Sequence, residues 1–463
     1  MSTSRTVVVG LVTALADVTA GAQSATVPGG TPLASVAAPA IVAATPGECT
    51  RSANEWRNAQ LAPVMAAMRQ ASPETRDSAI AKFNELYRGV SREVVRVSKD
   101  CAAGFAVEKV PATQLVDLVA LYSFVGDTAQ QRRATERALA ATDLPPRQHG
   151  RVMLLLVQQE IGLAKDYFGM IDGAERVVAQ IDALPDSLAD LKISAHQTMM
   201  GRYEYLDVDE GLRIHASAVL SLARRTMDGD SASARAKRSS VMTSAYLSLA
   251  RSAADLLHPD SALMILDNAE RELGPEVAPR FADFRDRYAL IGTKAAEINA
   301  EWWLNTDAPA AIKPGDGRVR FIEFTAHWCG PCKNSYPGVR SIAERFRAAP
   351  FEGVMVTSLY GYIGTRQHLT AEEEVAADRE YFTKEHALPF KVAVNSFPKN
   401  VTPPAYRQPQ VDRDYRVGGI PQIVIIDKRG LVRQIVTGWD QGNTRRIGDL
   451  IGQLLKEGDG RQP

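Results

Sequence analysis

Cys329 and Cys332, separated only by Gly330 and Pro331, are the residues of this 463-residue chain best suited to do chemistry. They close an apolar run from Phe321 to Ala326, so the pair falls where a strand hands over to a helix. At such a junction the first sulfur faces backbone N–H groups with no intrahelical acceptor, and these favour the thiolate over the thiol. That thiolate is a nucleophile toward disulfides, and the second cysteine, one turn on, attacks the mixed disulfide the first one makes. The spacing predicts thiol–disulfide exchange. C-x-x-C is also half of a zinc site, but no second C-x-x-C and no H-x-x-x-H follows to complete it.

The neighbouring residues supply the elements that position the pair. Val319 to Thr325 reads as a buried strand, Pro331 suits an early helical position, and Lys333 to Ala349 has helical apolar spacing through Val339, Ile342, Ala343 and Phe346. Further on, Gly419-Ile420-Pro421 leads into a second strand, Ile423 to Asp427, closed by Lys428-Arg429-Gly430 and followed by Leu431 to Thr437. A proline at the mouth of a central strand argues for a special bond, with cis the expectation. Glu323 stands among Phe321, Ile322 and Phe324, where desolvation raises a carboxyl pKa toward neutrality; the alternative is a strand-edge residue facing water.

Lys+Arg and Asp+Glu balance at 54 each, with 45% apolar and 23% charged residues, so the composition is globular and points to neither nucleic acid nor an anionic membrane surface. Arg5, the apolar run Val7 to Leu15 and Ala20-Gly21-Ala22 predict a secretory signal peptide over residues 1–22 and hence a periplasmic or otherwise extracytoplasmic location. Residues 23–47 are uncharged and rich in Ala, Pro and Gly, a linker composition. In an oxidising compartment Cys49 and Cys101 are expected to pair across two helices, Asn54 to Gln70 and Asp77 to Ser98; two buried thiols are the alternative. Closing a loop of roughly 50 residues stabilises by about 4 kcal/mol on the chain-entropy account.

Taken together, Trp328-Cys329-Gly330-Pro331-Cys332-Lys333, Glu323 ahead of them, Pro337 after them, Gly419-Ile420-Pro421 and Gly438 resemble the thioredoxin-fold thiol:disulfide oxidoreductases over about residues 297 to 463. The insert before Pro421, the Trp302-Trp303-Leu304 lead-in and the expected export are similar to the TlpA-like branch of exported disulfide reductases. The resemblance implies Cys329 as attacking thiolate, Cys332 as buried resolving thiol and Glu323 as the buried acid that takes the resolving proton. It implies Pro421 in cis against the disulfide, with Gly419 and Ile420 lying along an extended substrate, and Trp328, Gly330 and Pro331 on the substrate face. His327 is expected to be an exposed neighbour without a role. Ser335 departs from the branch, many of whose members carry Glu there, and the segment Asn395 to Asp412 is longer than usual. Protein disulfides are the implied substrates and a membrane thiol protein the implied electron donor, with no metal or organic cofactor.

Residues 48–296 show helical periodicity throughout, broken at Gly126-Asp127, Leu144-Pro145-Pro146, Leu184-Pro185-Asp186, His258-Pro259-Asp260 and Gly274-Pro275. Val119 to Tyr122 with Ala134 and Ala138, and Ala262 to Ala269, loosely resemble tetratricopeptide repeats, which leaves either a short repeat array or a plain helix bundle. A protein partner for this domain is left open. His149, His196, His215 and His258 are expected to be scattered packing or surface residues, and Tyr203 to Glu210 a solvated turn, since it lacks the twelfth-position glutamate of a calcium loop. The expectation is an all-α N-terminal domain, 48–296, followed by a thioredoxin-like α/β domain, 297–463, that reduces partner disulfides. An oxidase or isomerase using the same pair, or a helical scaffold with a thioredoxin-like binding module, are the alternatives.

Overall fold

The structure is a computed structural model that describes residues 37–70, 76–162, 167–206, 208–227, 229, 231–306, 311–397, 408–439 and 442–457. The expected signal peptide, the linker up to residue 36, Asp207 and residues 398–407 of the proline-rich segment lie outside the described residues. The chain divides into two compact units, Met1–Arg133 and Ala134–Pro463.

The first unit holds α1 (Pro46–Gln70), α2 (Arg76–Ala102) and α3 (Leu115–Val125); α4 (Thr128–Ala140) runs across the division. α1 begins ahead of the expected Asn54 because Thr45 and Glu48 form a reciprocal cap. The Glu48 N–H donates to Thr45 Oγ1 at 3.3 Å and the Thr45 N–H donates to Glu48 Oε2 at 3.2 Å. α1 and α2 bury Ala53, Leu61, Val90 and Val94. The first turn of α1 carries Cys49 and the last turn of α2 carries Cys101, and the structure joins their sulfurs, with Cα atoms 6.1 Å apart. α3 stops where Gly126 takes a left-handed conformation at φ 74°.

The second unit opens with α5 (Pro146–Gly162), α6 (Tyr167–Asp182), α7 (Ala189–Leu206), α8 (Asp209–Thr226), α9 (Ala232–Asp255), α10 (Pro259–Leu273) and α11 (Ala278–Tyr288). From α7 to α10 each helix packs on the next. Fully buried alanines, Ala195, Ala216, Ala223, Ala245, Ala250, Ala262 and Ala269, line these contacts and let the backbones approach closely. None of the described helices is long and apolar enough to cross a membrane.

The same unit continues through β1 (Trp302–Leu304), β2 (Val319–Phe324), α12 (Gly330–Phe346), β3 (Phe351–Ser358), the ribbon β4 (Tyr362–Ile363) and β5 (Arg366–Gln367), and α13 (Ala371–Arg379). It ends with β6 (Lys391–Asn395), α14 (Gln410–Asp414), β7 (Gln422–Ile426), β8 (Val432–Thr437) and α15 (Asn443–Lys456). Six strands form one mixed sheet in the order β1-β6-β3-β2-β7-β8, with β2, β3 and β6 parallel and the others antiparallel to their neighbours. α12 and α15 pack together over one face, where Val339, Ile342, Ile447, Ile451 and Leu454 are buried.

Candidate active site

β2 runs buried along its whole length in the middle of the sheet, and successive side chains alternate between its faces. Ile322 and Phe324 enter the core on one side; Val319 and Phe321 enter the core that α12 covers, so Glu323 shares their face. Glu323 is 0% exposed, which removes the water-facing alternative. Its Oε1 accepts from Ser335 Oγ at 2.7 Å and its Oε2 has no hydrogen-bond partner among the described residues. Desolvation pushes the carboxyl up to about 8, against the smaller lowering effect of the Ser335 hydroxyl.

Cys329 caps α12. Its Sγ accepts the Cys332 N–H at 3.1 Å, and Pro331 lies in the first helical turn, which has no need of its missing N–H. A cysteine acting as N-cap explains why the helix starts at Gly330 rather than at Lys333. The structure joins Cys329 to Cys332, with Cα atoms 5.2 Å apart. Cys332 is 0% exposed and Cys329 2%, so the first cysteine alone offers any approach. Gly330 and Pro331 are exposed, and Trp328 is 47% exposed with its ring edge-on to Tyr360 at 5.4 Å.

The Ile420–Pro421 peptide bond is cis. Pro421 is buried and its carbonyl accepts the Gly438 N–H at 2.8 Å, while Gly419 and Ile420 are half-buried. Just before them, Gly418 meets α11: a Cβ there would lie 2.4 Å from Nη1 of Arg287, so a larger residue would have to push that guanidinium aside.

His327 differs from its expectation. It is 4% exposed, with the rings of Tyr360, Tyr362 and Tyr381 edge-on at 5.6, 5.3 and 6.4 Å and its Nδ1 3.3 Å from Asp378 Oδ1. The segment between β3 and β6, distant in sequence, buries it. Of the four histidines of the helical region, His196 and His215 are buried packing residues as expected, but they are paired rather than scattered. His196 and His215 meet through their Nδ1 atoms at 2.7 Å, while His196 Nε2 reaches Asp182 at 3.1 Å and His215 Nε2 reaches Glu175 at 2.8 Å. No local spacing signals this, because the two residues sit on different helices, α7 and α8. Asp412, on α14, was also not marked by the sequence; burial pushes its carboxyl up to about 7, and its charge acts on Tyr360.

A mixed sheet with a C-x-x-C opening the helix after its central strand, and a cis proline opening the adjacent antiparallel strand, defines a thioredoxin-like fold for the C-terminal part of the second unit. No protein-family model matches the chain. The chain is similar to thioredoxin H7 of Arabidopsis thaliana, 43% identical over 56 residues that make up 12% of this chain and 43% of that protein. It is also similar to the thiol-disulfide oxidoreductase ResA of Geobacillus kaustophilus, 25% identical over 122 residues, 26% of this chain and 56% of that protein. Among solved structures, a thiol-disulfide isomerase from Corynebacterium glutamicum overlaps 35% of this chain and 97% of its own at 23% identity, with a TM-score of 0.27. The chain spans about half the length of the curated relatives it matches.

Proposed function

We propose that this protein is an extracytoplasmic thiol:disulfide oxidoreductase that reduces disulfides in partner proteins. The observation that carries the reading is the placement of Cys329 at the N-terminus of α12 with its sulfur accepting the Cys332 N–H, an arrangement that stabilises a thiolate. The Cys329 thiolate attacks a partner disulfide, forming a mixed disulfide and releasing one partner thiolate. Cys332 then gives up its proton and attacks Cys329 Sγ; the Cys329–Cys332 disulfide forms and the second partner thiolate leaves, so two electrons pass to the partner. Glu323, buried and hydrogen-bonded to the Ser335 hydroxyl that also reaches the Cys332 carbonyl, takes the Cys332 proton in its ionised form, which gains population as pH rises toward about 8. Gly419 and Ile420 beside Pro421, with Trp328, Gly330 and Pro331, form the face against which an extended partner segment lies.

A membrane-embedded thiol protein would re-reduce the pair, the N-terminal 22 residues would direct export, and the helical region would offer a docking surface to a protein partner. The names of the similar curated proteins support exchange chemistry and leave its direction open. The test is the reduction of a model protein disulfide by the full chain. Cys329→Ser is expected to abolish turnover, and Cys332→Ser to accumulate mixed disulfides that mass spectrometry detects. Unchanged turnover in Cys329→Ser overturns the reading. The equilibrium potential of the pair in a glutathione buffer decides direction: a value well below that of glutathione supports a reductase, and a strongly oxidising one an oxidase or isomerase.

A further inference from the structure

Beside the cysteine pair lies a second group of reactive side chains that exchange chemistry does not use. Glu374 and Asp378 are one turn apart on the same face of α13, and His327 reaches them from the loop between β2 and α12. One ligand atom from each of the three lies within 4.8 Å of the others. All three residues are buried, at 4% for His327, 1% for Glu374 and 0% for Asp378. Among the described residues neither ring nitrogen of His327 and neither carboxylate oxygen of Asp378 makes a well-formed hydrogen bond, although His327 Nδ1 and Asp378 Oδ1 are 3.3 Å apart. Buried polar groups ordinarily find partners, and buried charges are ordinarily paired or coordinate a metal. The His327–Asp378 contact and the two backbone donors of Glu374 leave lone pairs on all three side chains, which have the chemistry of metal ligands.

We propose that His327, Glu374 and Asp378 form a binding site for a divalent first-row transition ion such as zinc. Zinc bonds of about 2.0–2.1 Å in a tetrahedral arrangement place ligand atoms about 3.3–3.5 Å apart, the separation found between His327 Nδ1 and Asp378 Oδ1. Two carboxylates and a neutral imidazole around a divalent ion sum to no net charge, which suits a buried site. An imidazole ligand favours a transition ion over calcium or magnesium. Glu374 is already oriented: its Oε1 and Oε2 accept the N–H groups of Tyr360 and Gly361, each at 2.6 Å, and each oxygen keeps a further lone pair. The bound ion would tie α13 to the loop two residues ahead of Cys329.

The experiment titrates zinc into the full chain with its cysteines held as disulfides, so that no thiolate competes for the metal, and follows binding by calorimetry. Wild type is expected to bind about one equivalent, and Asp378→Asn and His327→Gln to lose affinity by more than the roughly 10–100-fold that an outer-shell partner is worth. Absence of stoichiometric binding in wild type overturns the proposal. Equal binding by the two folded variants overturns it too, since the ion would then sit elsewhere. Should the variants fail to fold, cobalt substitution in wild type decides. A visible spectrum of tetrahedral nitrogen and oxygen ligation supports the site, and a six-coordinate aquo-type spectrum refutes it.

Discussion

The hydroxyl of Ser335 lies 2.7 Å from Oε1 of Glu323 and 2.7 Å from the carbonyl oxygen of Cys332. A hydroxyl has one hydrogen, so it serves one acceptor at a time, and the protonation of Glu323 decides which. While Glu323 is a neutral acid it donates to Ser335, whose own hydrogen is then free for Cys332. Once ionised, Glu323 claims that hydrogen. The serine that departs from the TlpA-like pattern thus links the buried acid to the backbone of the second cysteine.

The raised carboxyl of Glu323 makes stability depend on pH. Its ordinary value is 4.5 and its folded value about 8, so between the two the folded chain keeps a proton that the unfolded chain has released. The contribution is present in full below the ordinary value and declines as pH rises toward 8, by up to about 1.4 kcal/mol per unit. Glu323→Gln, neutral at every pH, is expected to flatten this decline. Denaturant unfolding across the same window checks it, and an identical pH slope in the variant contradicts the assignment.

The same acid is expected to appear in the kinetics. An inflection near pH 8 in the exchange rate of wild type should vanish in Glu323→Gln. Ser335→Ala removes a hydrogen bond that lowers the Glu323 pKa, so its inflection should move upward by about one unit. A downward move, or none, in the pH–rate profile counts against the Ser335 link.

A buried ion pair joins α9 to α15. Arg446 Nη1 lies 3.0 Å from Asp255 Oδ2, with Arg251 Nε at 3.6 Å from the same oxygen. Desolvation raises the Asp255 carboxyl, and both arginines oppose that shift. Arg446→Met leaves the buried carboxylate with its more distant partner and is expected to cost about 3–5 kcal/mol, part of which Asp255→Asn in the same chain should recover. Urea unfolding of the single and double variants measures it. Additive losses would show that the two residues do not interact.

Cys49 and Cys101 close a loop with a sequence separation of 52. Replacing both by alanine is expected to destabilise the first unit by about 4 kcal/mol, seen by calorimetry as an earlier transition. Alkylation of the unreduced wild type in denaturant, which exposes every cysteine, should find no free thiol among the four; two labelled thiols at these positions would restore the buried-thiol alternative.

The sequence by itself determined the parts of this protein that depend on neighbouring residues. Cys329 and Cys332 at a strand-to-helix junction, Pro421 at a strand mouth and the alternation that buries Glu323 with Phe321 are local patterns, legible from spacing alone. Even the early start of α1 is a local matter, written in the reciprocal cap of Thr45 and Glu48. Tertiary structure alone decided what comes together from distant segments. His327 looks solvent-facing beside Trp328 until the chain between β3 and β6 returns to enclose it with Glu374 and Asp378. His196 meets His215, and Asp255 meets Arg446, only because their helices pack. Periodicity fixes which way a side chain faces along its own strand or helix, whereas its partners are set by how separate elements dock, and no local pattern carries that information.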